Sequence, residues 1–110
     1  MAREQWIVDF DEGAVRDLED VKGKEERKAL LTAVDKLRQL GPKLGPPHVK
    51  SLKGEADLYE LRPRQGSSKC RPIFVRRERG CLVVAIAVDH AKDLDRAVGD
   101  ARERLNARGD

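Results

Sequence analysis

The residues from 58 to 64 alternate between apolar and charged side chains. Because successive side chains of a β-strand point to opposite faces, this alternation predicts a strand with one face in the core and one charged face. The core face carries Tyr59 and Leu61, and the charged face carries Glu60, Arg62 and Arg64.

Two further strands are predicted directly after this one. Residues 71–77 place three apolar side chains (IFV) between arginines, and residues 81–88 form an uncharged run with four β-branched side chains. An uncharged run of this length is typical of a central strand covered on both faces. Pro72 has no N–H for a strand ladder, so we expect a bulge or an irregular start there. Together the three segments predict an antiparallel meander with an arginine-rich face.

The N-terminal part of the chain has helical periodicity after a short β-rich segment. The sequence WIVDF at residues 6–10 predicts a strand at the sheet edge, with Trp6 in the core. Asp11 is a suitable N-cap for a short helix, and a longer helix is predicted from about residue 24 to residue 40, where a Gly-Pro pair stops it. The apolar stripes of the two helices predict a helical hairpin over one face of the sheet.

Two remaining segments complete the predicted architecture. Residues 41–57 contain three prolines and three glycines, which favours a loop. After residue 93, apolar side chains recur at helical spacing and predict a C-terminal helix. The predicted fold class is therefore α+β, with a small antiparallel or mixed four-stranded sheet, the helical hairpin on one face and a C-terminal helix.

The length of 110 residues predicts a single domain spanning residues 1–110, because one core does not need to divide until a chain is about twice as long. Charged residues make up 39% of the chain and aromatic residues 4%, a composition that by itself could indicate disorder. The apolar residues fall in periodic blocks, however, so we expect a compact fold with a small aliphatic core.

Cys70 and Cys81 form no motif with the spacing of a metal site, so no metal is predicted. With a turn centred on residues 77–80, Cys81 would lie opposite Arg76 and Cys70 opposite Ala87, too far apart for a disulfide. Two buried thiols, no signal peptide and no apolar stretch near 20 residues predict a protein of the reducing cytoplasm without a membrane partner.

The net charge of +3 is small but unevenly distributed. Residues 48–79 carry nine Lys or Arg against four Asp or Glu, whereas the segments before and after them each have a net charge of −1. The positive excess therefore lies on the first part of the sheet and on the loop before it. A solvated sheet face is as common an explanation of such charge as a binding surface.

Several titratable side chains accompany this excess. The loop brings His48, Lys50 and Lys53 to the arginine-bearing strand, and His90 and Lys92 follow the last strand at a strand-to-helix corner, where site residues are common. The alternatives are a surface histidine in the loop and a polar helix cap at the corner.

The order of elements and four short segments resemble the RelE/ParE toxin superfamily, most closely its phage-derived HigB-like branch. The segments are HVKSLKG at 48–54, ELR at 60–62, Arg71 ahead of IFV, and the apolar strand that ends in VDHAKD at 88–93. The resemblance covers nearly the whole chain and is most specific between residues 48 and 92.

This resemblance implies a small toxin that is neutralised by a cognate antitoxin, expected to be of the helix-turn-helix type. It also implies that the toxin enters the A site of the ribosome, beside 16S rRNA, and cuts mRNA without a metal or other cofactor. Cleavage through the ribose 2′-OH needs a base, cations that stabilise the phosphate, and an acid for the leaving 5′ oxygen.

The resemblance also suggests which residues serve this reaction. Arg71 and Arg62 would bind the phosphate, His48 and His90 would act as base and acid in either order, and Lys92 would add charge. The other cations of the region are the expected RNA-binding residues: Lys50, Lys53, Arg64, Lys69 and Arg76.

Two positions depart from the ribonuclease branch, because Glu60 stands where that branch has a lysine and Ala97 lies near where it has a catalytic helix tyrosine. Glu60 could act as a base or pair with Arg62 or Arg71. Two other functions stay open, namely a gyrase-poisoning toxin of the ParE type and a toxin-fold protein that only binds its antitoxin. In each case we expect an antitoxin helix or extended arm over the sheet, with acidic residues opposite the arginines.

Overall fold

A computed structural model describes residues 5–55 and 57–109. The strands and helices in chain order are β1 (Ile7–Phe10), α1 (Glu12–Glu19), α2 (Lys24–Leu40), β2 (Val49–Ser51), β3 (Tyr59–Leu61), β4 (Arg71–Arg77), β5 (Gly80–Ala87) and α3 (His90–Arg108). Short 3-10 turns at Gly41–Lys43 and Pro63–Gly66 follow α2 and β3. No helix within these two ranges is both long and apolar enough to cross a membrane.

The five strands form one mixed sheet in the order β1-β5-β4-β3-β2. Strands β2 to β5 pair antiparallel, and β1 pairs parallel to β5 at the edge. Every residue of β5 is buried, because helices cover both faces of the sheet. The predicted meander, the central buried strand and the edge position of the first strand are confirmed.

The segment predicted as a loop between residues 41 and 57 contains an additional edge strand, β2. Its residues pair antiparallel with β3, and Val49 is buried in the core. The prediction of a loop was wrong here because a three-residue strand among prolines and glycines has too little periodicity to be recognised. Lys50 is therefore held on a strand directly opposite Glu60.

Strand β3 is shorter than the predicted strand at 58–64, since it ends at Leu61. Pro63 begins a turn in which Arg64 has a φ of 54° and Gln65 a φ of 57°, outside the strand conformation. Arg62 and Arg64 thus follow the strand and are not part of its charged face.

Each face of the sheet has its own hydrophobic core. Helices α1 and α2 pack on one face, as predicted for a helical hairpin, and Asp11 caps α1 by accepting a hydrogen bond from the Gly13 N–H at 2.8 Å. Trp6, predicted in the core, is only half-buried, with its ring against Gly41. Helix α3 covers the other face mainly through Ala97, Ala101 and Leu105, so its apolar contact is narrow.

A bulge interrupts the pairing of β4 with β5 between Ile73 and Phe74, one residue after Pro72. Val84 is the extra residue on β5, since it lies between the two residues that pair with Ile73 and Phe74. The irregularity predicted from the proline is therefore present.

The bulge shifts the predicted position of one cysteine. Cys81 lies opposite Arg76 as predicted, but Arg71 takes the place opposite Ala87 that was predicted for Cys70. Both thiols are buried and free, and burial raises the pKa of Cys70 to about 12 and that of Cys81 to about 11.

The second half of β5 has no strand beside its outer edge in the part of the chain that is described, because β1 ends at Phe10. Asp17 of α1 accepts a hydrogen bond from the Ile86 N–H at 3.0 Å, and Arg104 of α3 donates to the Val84 carbonyl at 2.9 Å. Arg104 and Asp17 also form an ion pair at 2.8 Å. This pair fastens α3 to α1 and closes the exposed edge of the strand.

Candidate active site

Glu60 lies between two arginines at the end of β3. Its Oε1 atom is 3.7 Å from Arg62 Nε and 3.9 Å from Arg71 Nε. Glu60 is only 7% exposed and Arg71 2% exposed. Because an unpaired charge is costly to bury, these opposite charges stabilise one another there. Pairing of Glu60 with Arg62 or with Arg71 was one of the two predicted roles, and Glu60 pairs with both.

Main-chain carbonyl groups enclose the guanidinium of Arg71. Its Nη1 donates to the carbonyls of Ser68 and Cys70, and its Nη2 donates to the carbonyl of Gly66 at 3.0 Å. The same Nη2 lies 3.1 Å from His90 Nε2. Burial lowers the pKa of Arg71 below its ordinary value, and the charge of Glu60 opposes this shift.

This arrangement does not support the predicted direct contact between Arg71 and a phosphate. The Nη donors of Arg71 are taken by protein acceptors, and a substrate would have to displace them. Arg71 is better described as a positioning residue that holds the β3–β4 connection, Glu60 and His90 together. Sequence patterns carry no sign of this role, because the contacts join segments that are distant in the chain.

His90 begins α3 and is half-buried. Its main-chain N–H donates to the Lys69 carbonyl at 2.9 Å, while Asp89 caps the helix by accepting from the Ala91 N–H at 3.2 Å. A guanidinium can only donate, so His90 Nε2 is the acceptor wherever this contact is a hydrogen bond. The cap of α3 is therefore Asp89, and the His90 ring contacts Arg71.

His48 precedes β2 and lies next to Arg62. Its carbonyl accepts a hydrogen bond from the Arg62 N–H at 2.8 Å, and both side chains line a cavity against α2. Within residues 5–55 and 57–109, no hydrogen bond or ion pair joins His48 to His90. His48 therefore lies beside Arg62 and His90 beside Arg71, with no direct bond between the two histidines in the described residues.

The other predicted RNA-binding residues surround this cluster. Arg64 reaches α2, with Nη2 3.4 Å from the carbonyl and 3.5 Å from the carboxylate of Glu25. The guanidinium of Arg76 lies 4.4 Å from the centre of the Tyr59 ring, a cation–π contact. Lys50 lines a cleft together with Arg62 and Arg76. The remaining predicted cations are exposed: Lys53, Lys69 and Lys92.

Residues 16–98 match the model of the family described as "Phage derived protein Gp49-like (DUF891)". Comparison with curated protein sequences gives no match.

Several solved structures are similar to this chain, among them the following three. A mutant of the Escherichia coli toxin RelE in the free state matches 92% of this chain and 98% of its own, with a TM-score of 0.66 and 20% identity. The intact E. coli RelBE toxin-antitoxin complex matches 74% of this chain and 93% of its own, with a TM-score of 0.55 and 20% identity. The YoeB-YefM complex from Staphylococcus aureus matches 77% and 95%, with a TM-score of 0.56 and 16% identity. These similarities confirm the predicted RelE-like α+β fold.

Proposed function

Because the chain belongs to the family of phage-derived Gp49-like proteins and has the RelE-like fold, we propose that it is the toxin of a type II toxin–antitoxin pair. Two of the structures it resembles support this proposal, since one is a mutant of the E. coli toxin RelE and another is the intact E. coli RelBE toxin-antitoxin complex. We propose further that the toxin inhibits translation as an endoribonuclease that cuts mRNA on the ribosome.

The observation that carries the ribonuclease proposal is the cluster in which Glu60 joins Arg62 to Arg71, with His48 beside Arg62 and His90 beside Arg71. Cleavage through the 2′-OH needs a proton acceptor, a phosphate ligand and a proton donor. Glu60, Arg62 and His48 are the groups proposed here for these three roles.

Arg62 is the proposed phosphate ligand. Its side chain is 31% exposed, against 2% for that of Arg71, so a phosphate can reach it from solvent. Its guanidinium can donate two hydrogen bonds to one phosphate. As a phosphate ligand, Arg62 stabilises the charge that develops on the phosphate during cleavage.

Glu60 and His48 are the proposed proton acceptor and donor. The Glu60 carboxylate lies 3.7 Å from Arg62 Nε, and His48 lines the same cavity as Arg62. Glu60 takes the proton of the 2′-OH, and His48 as an imidazolium gives one to the leaving oxygen. Arg71 and His90 keep Glu60 in place.

The cellular test is expression of the protein without an antitoxin, followed by mapping of mRNA 5′ ends and DNA breaks. We expect new mRNA ends at fixed positions within codons. Double-strand DNA breaks would instead identify a gyrase-directed toxin of the ParE type. Normal growth with intact mRNA would indicate a toxin-fold protein that only binds its antitoxin.

The residue assignment is tested by Arg62→Ala, Glu60→Gln and His48→Ala. Each change should lower the rate of mRNA cleavage by about 10²-fold or more, because each removes a phosphate ligand or a proton-transfer group. Arg16→Ala on the exposed side of α1 is the matched control and should cut like the parent protein. Cleavage unchanged in all three variants, with melting temperatures equal to that of the parent, would show that the site lies elsewhere.

A further inference from the structure

A cavity of about 380 Å³ opens between α2, the segment before β2 and the turn after β3. Its volume lies within the range of about 300–1,000 Å³ that is typical of small-molecule sites. Arg62 lines it, so the cavity adjoins the proposed site of cleavage.

The floor of the cavity is apolar. Ala29 and Ala33, one turn apart on α2, leave space because their side chains are small, and Leu44 and Leu61 close the bottom. All four residues are buried. A flat apolar group that enters the cavity would thus meet hydrocarbon and little polar surface.

The rim of the cavity is cationic. Lys28 and Lys36 stand two turns apart on α2, and His48, Arg62 and Arg64 face them from the other wall. Among the lining residues that the structure describes, Glu25 is the one acid, and it lies 3.5 Å from Arg64.

Cations that converge from separate elements attract an anion, although Arg62 and Arg64 each already have one acidic partner, Glu60 and Glu25. The cavity therefore fits a ligand with a flat apolar part and a negative charge.

We infer that this cavity holds one unpaired nucleotide of the RNA, next to the linkage that Arg62 binds. The inference rests on the proposed function, because it specifies how the substrate of that site is recognised. The base would lie on the alanine and leucine floor, and its phosphate would lie at the lysine and arginine rim, which are the contacts that proteins use for unstacked RNA bases and backbone.

The compact shape favours a nucleotide over a protein helix. A docked helix needs a long groove for apolar anchors at positions i, i+3 or i+4, and i+7. Here the apolar floor is limited to four side chains, and a ring of cations surrounds it.

The binding test is titration of the purified protein with the four nucleoside 5′-monophosphates, ribose 5-phosphate and inorganic phosphate, followed by NMR of the backbone amides. We expect shifts at Ala29, Ala33 and Leu61 with nucleotides, and at least tenfold weaker binding of ribose 5-phosphate because it lacks the base. Equal affinities for nucleotides and inorganic phosphate, or shifts confined to other residues, would overturn the inference. The inference would also be overturned if nucleotides left the NMR signals of these amides unchanged and an antitoxin shifted them.

The matched variants are Ala33→Leu, which fills the floor, and Ala91→Leu, which adds the same side chain on the exposed side of α3. Ala33→Leu should weaken nucleotide binding at least tenfold and raise the KM for RNA while kcat is kept, and Ala91→Leu should change neither. If Ala33→Leu does not fold, Lys36→Gln on the exposed rim provides a second test, with Lys22→Gln as its control. We expect Lys36→Gln to weaken nucleotide binding severalfold relative to this control. Unchanged nucleotide binding would contradict the inference.

The outcomes for this cavity and for the proposed function can be separated. RNA cleavage without nucleotide binding at these amides would contradict the nucleotide subsite and support the proposed ribonuclease activity. Nucleotide binding in the cavity without RNA cleavage would support the subsite and contradict the ribonuclease.

Discussion

The side chain of Arg71 joins segments that are distant in the chain. It binds three carbonyl groups between residues 66 and 70, faces Glu60 and contacts His90. Residues at this depth are usually apolar, and a buried charge is tolerated only where paired groups surround it. We therefore attribute the shape of the β3–β4 connection to this one guanidinium.

Replacement of Arg71 by methionine should destabilise the protein strongly. The change leaves three carbonyl groups without their donor and Glu60 without one of its two partners, for which we expect a loss of about 3–5 kcal/mol. Urea unfolding followed by circular dichroism measures the loss. Arg79→Met in the exposed turn between β4 and β5 is the control and should cost no more than about 0.5 kcal/mol. Equal losses in the two variants would contradict a structural role for the Arg71 guanidinium.

Residue patterns alone predicted which side chains belong to this region but not how they are arranged. The alternation at 58–64 placed Glu60 on a charged face, yet Glu60 is buried because Arg71 approaches it from the neighbouring strand. Lys28 and Lys36 are exposed, as the spacing of a charged helix side predicts, and they also line a cavity that the β3–β4 connection completes. Periodicity describes one element at a time, whereas these environments are made by two or three.

At the scale of elements, the strongest local signals gave the most accurate predictions. The longer helix was predicted from about residue 24 to residue 40, and α2 has these bounds because its apolar stripe is regular and a Gly-Pro pair stops it. β4 was predicted at 71–77 and forms there. The three-residue strand β2 was missed, since its stability comes from pairing with β3.

Helix α3 depends on polar contacts more than the other helices do. Two of the three buried residues in its apolar stripe are alanines, and Arg104 connects the helix to Asp17 of α1 and to the Val84 carbonyl of β5. The hydrogen bond and the charge of Asp17 raise the pKa of Arg104. The attachment of α3 is thus partly electrostatic.

Arg104→Met should loosen α3. The change removes the cation that lies 2.8 Å from Asp17, whose side chain is 10% exposed, and leaves the longer ion pair with Arg96 at 3.9 Å, so we expect a loss of about 3 kcal/mol in unfolding free energy. Hydrogen exchange should show faster exchange of α3 amides than of α2 amides. Lys92→Met, at an exposed position of the same helix, is the control. Uniform acceleration of exchange across both helices would contradict a local role for Arg104.

The whole molecule has a small net charge and one cationic region. Lys50, Arg62 and Arg76 share a cleft beside the proposed site, and Arg76 is held there by the Tyr59 ring. Long-range attraction to RNA should therefore come from this side of the protein and weaken as salt screens it.

The salt dependence of RNA binding tests this expectation. For single-stranded RNA, each phosphate contact contributes about −0.7 to the slope of log affinity against log salt concentration. Lys50→Gln combined with Arg76→Gln should therefore make the slope less negative by about 1.4. The measurement is fluorescence anisotropy with an oligonucleotide that lacks the 2′-OH and cannot be cut. Lys22→Gln combined with Lys24→Gln is the control, and a slope that changes equally in both pairs would exclude a specific role for the cleft.

The parallel pairing of Ile7 with Gly80 has a consequence for synthesis of the protein. A Cβ atom at position 80 would lie 1.7 Å from the Ile7 carbonyl oxygen, so the two backbones are in direct contact there. β1 is translated before β5 and can join the sheet only after β5 has been translated. Pairings between segments so distant in the chain form slowly. The sheet of a nascent chain is thus incomplete until β5 has been translated, so the proposed activity would begin only after that point.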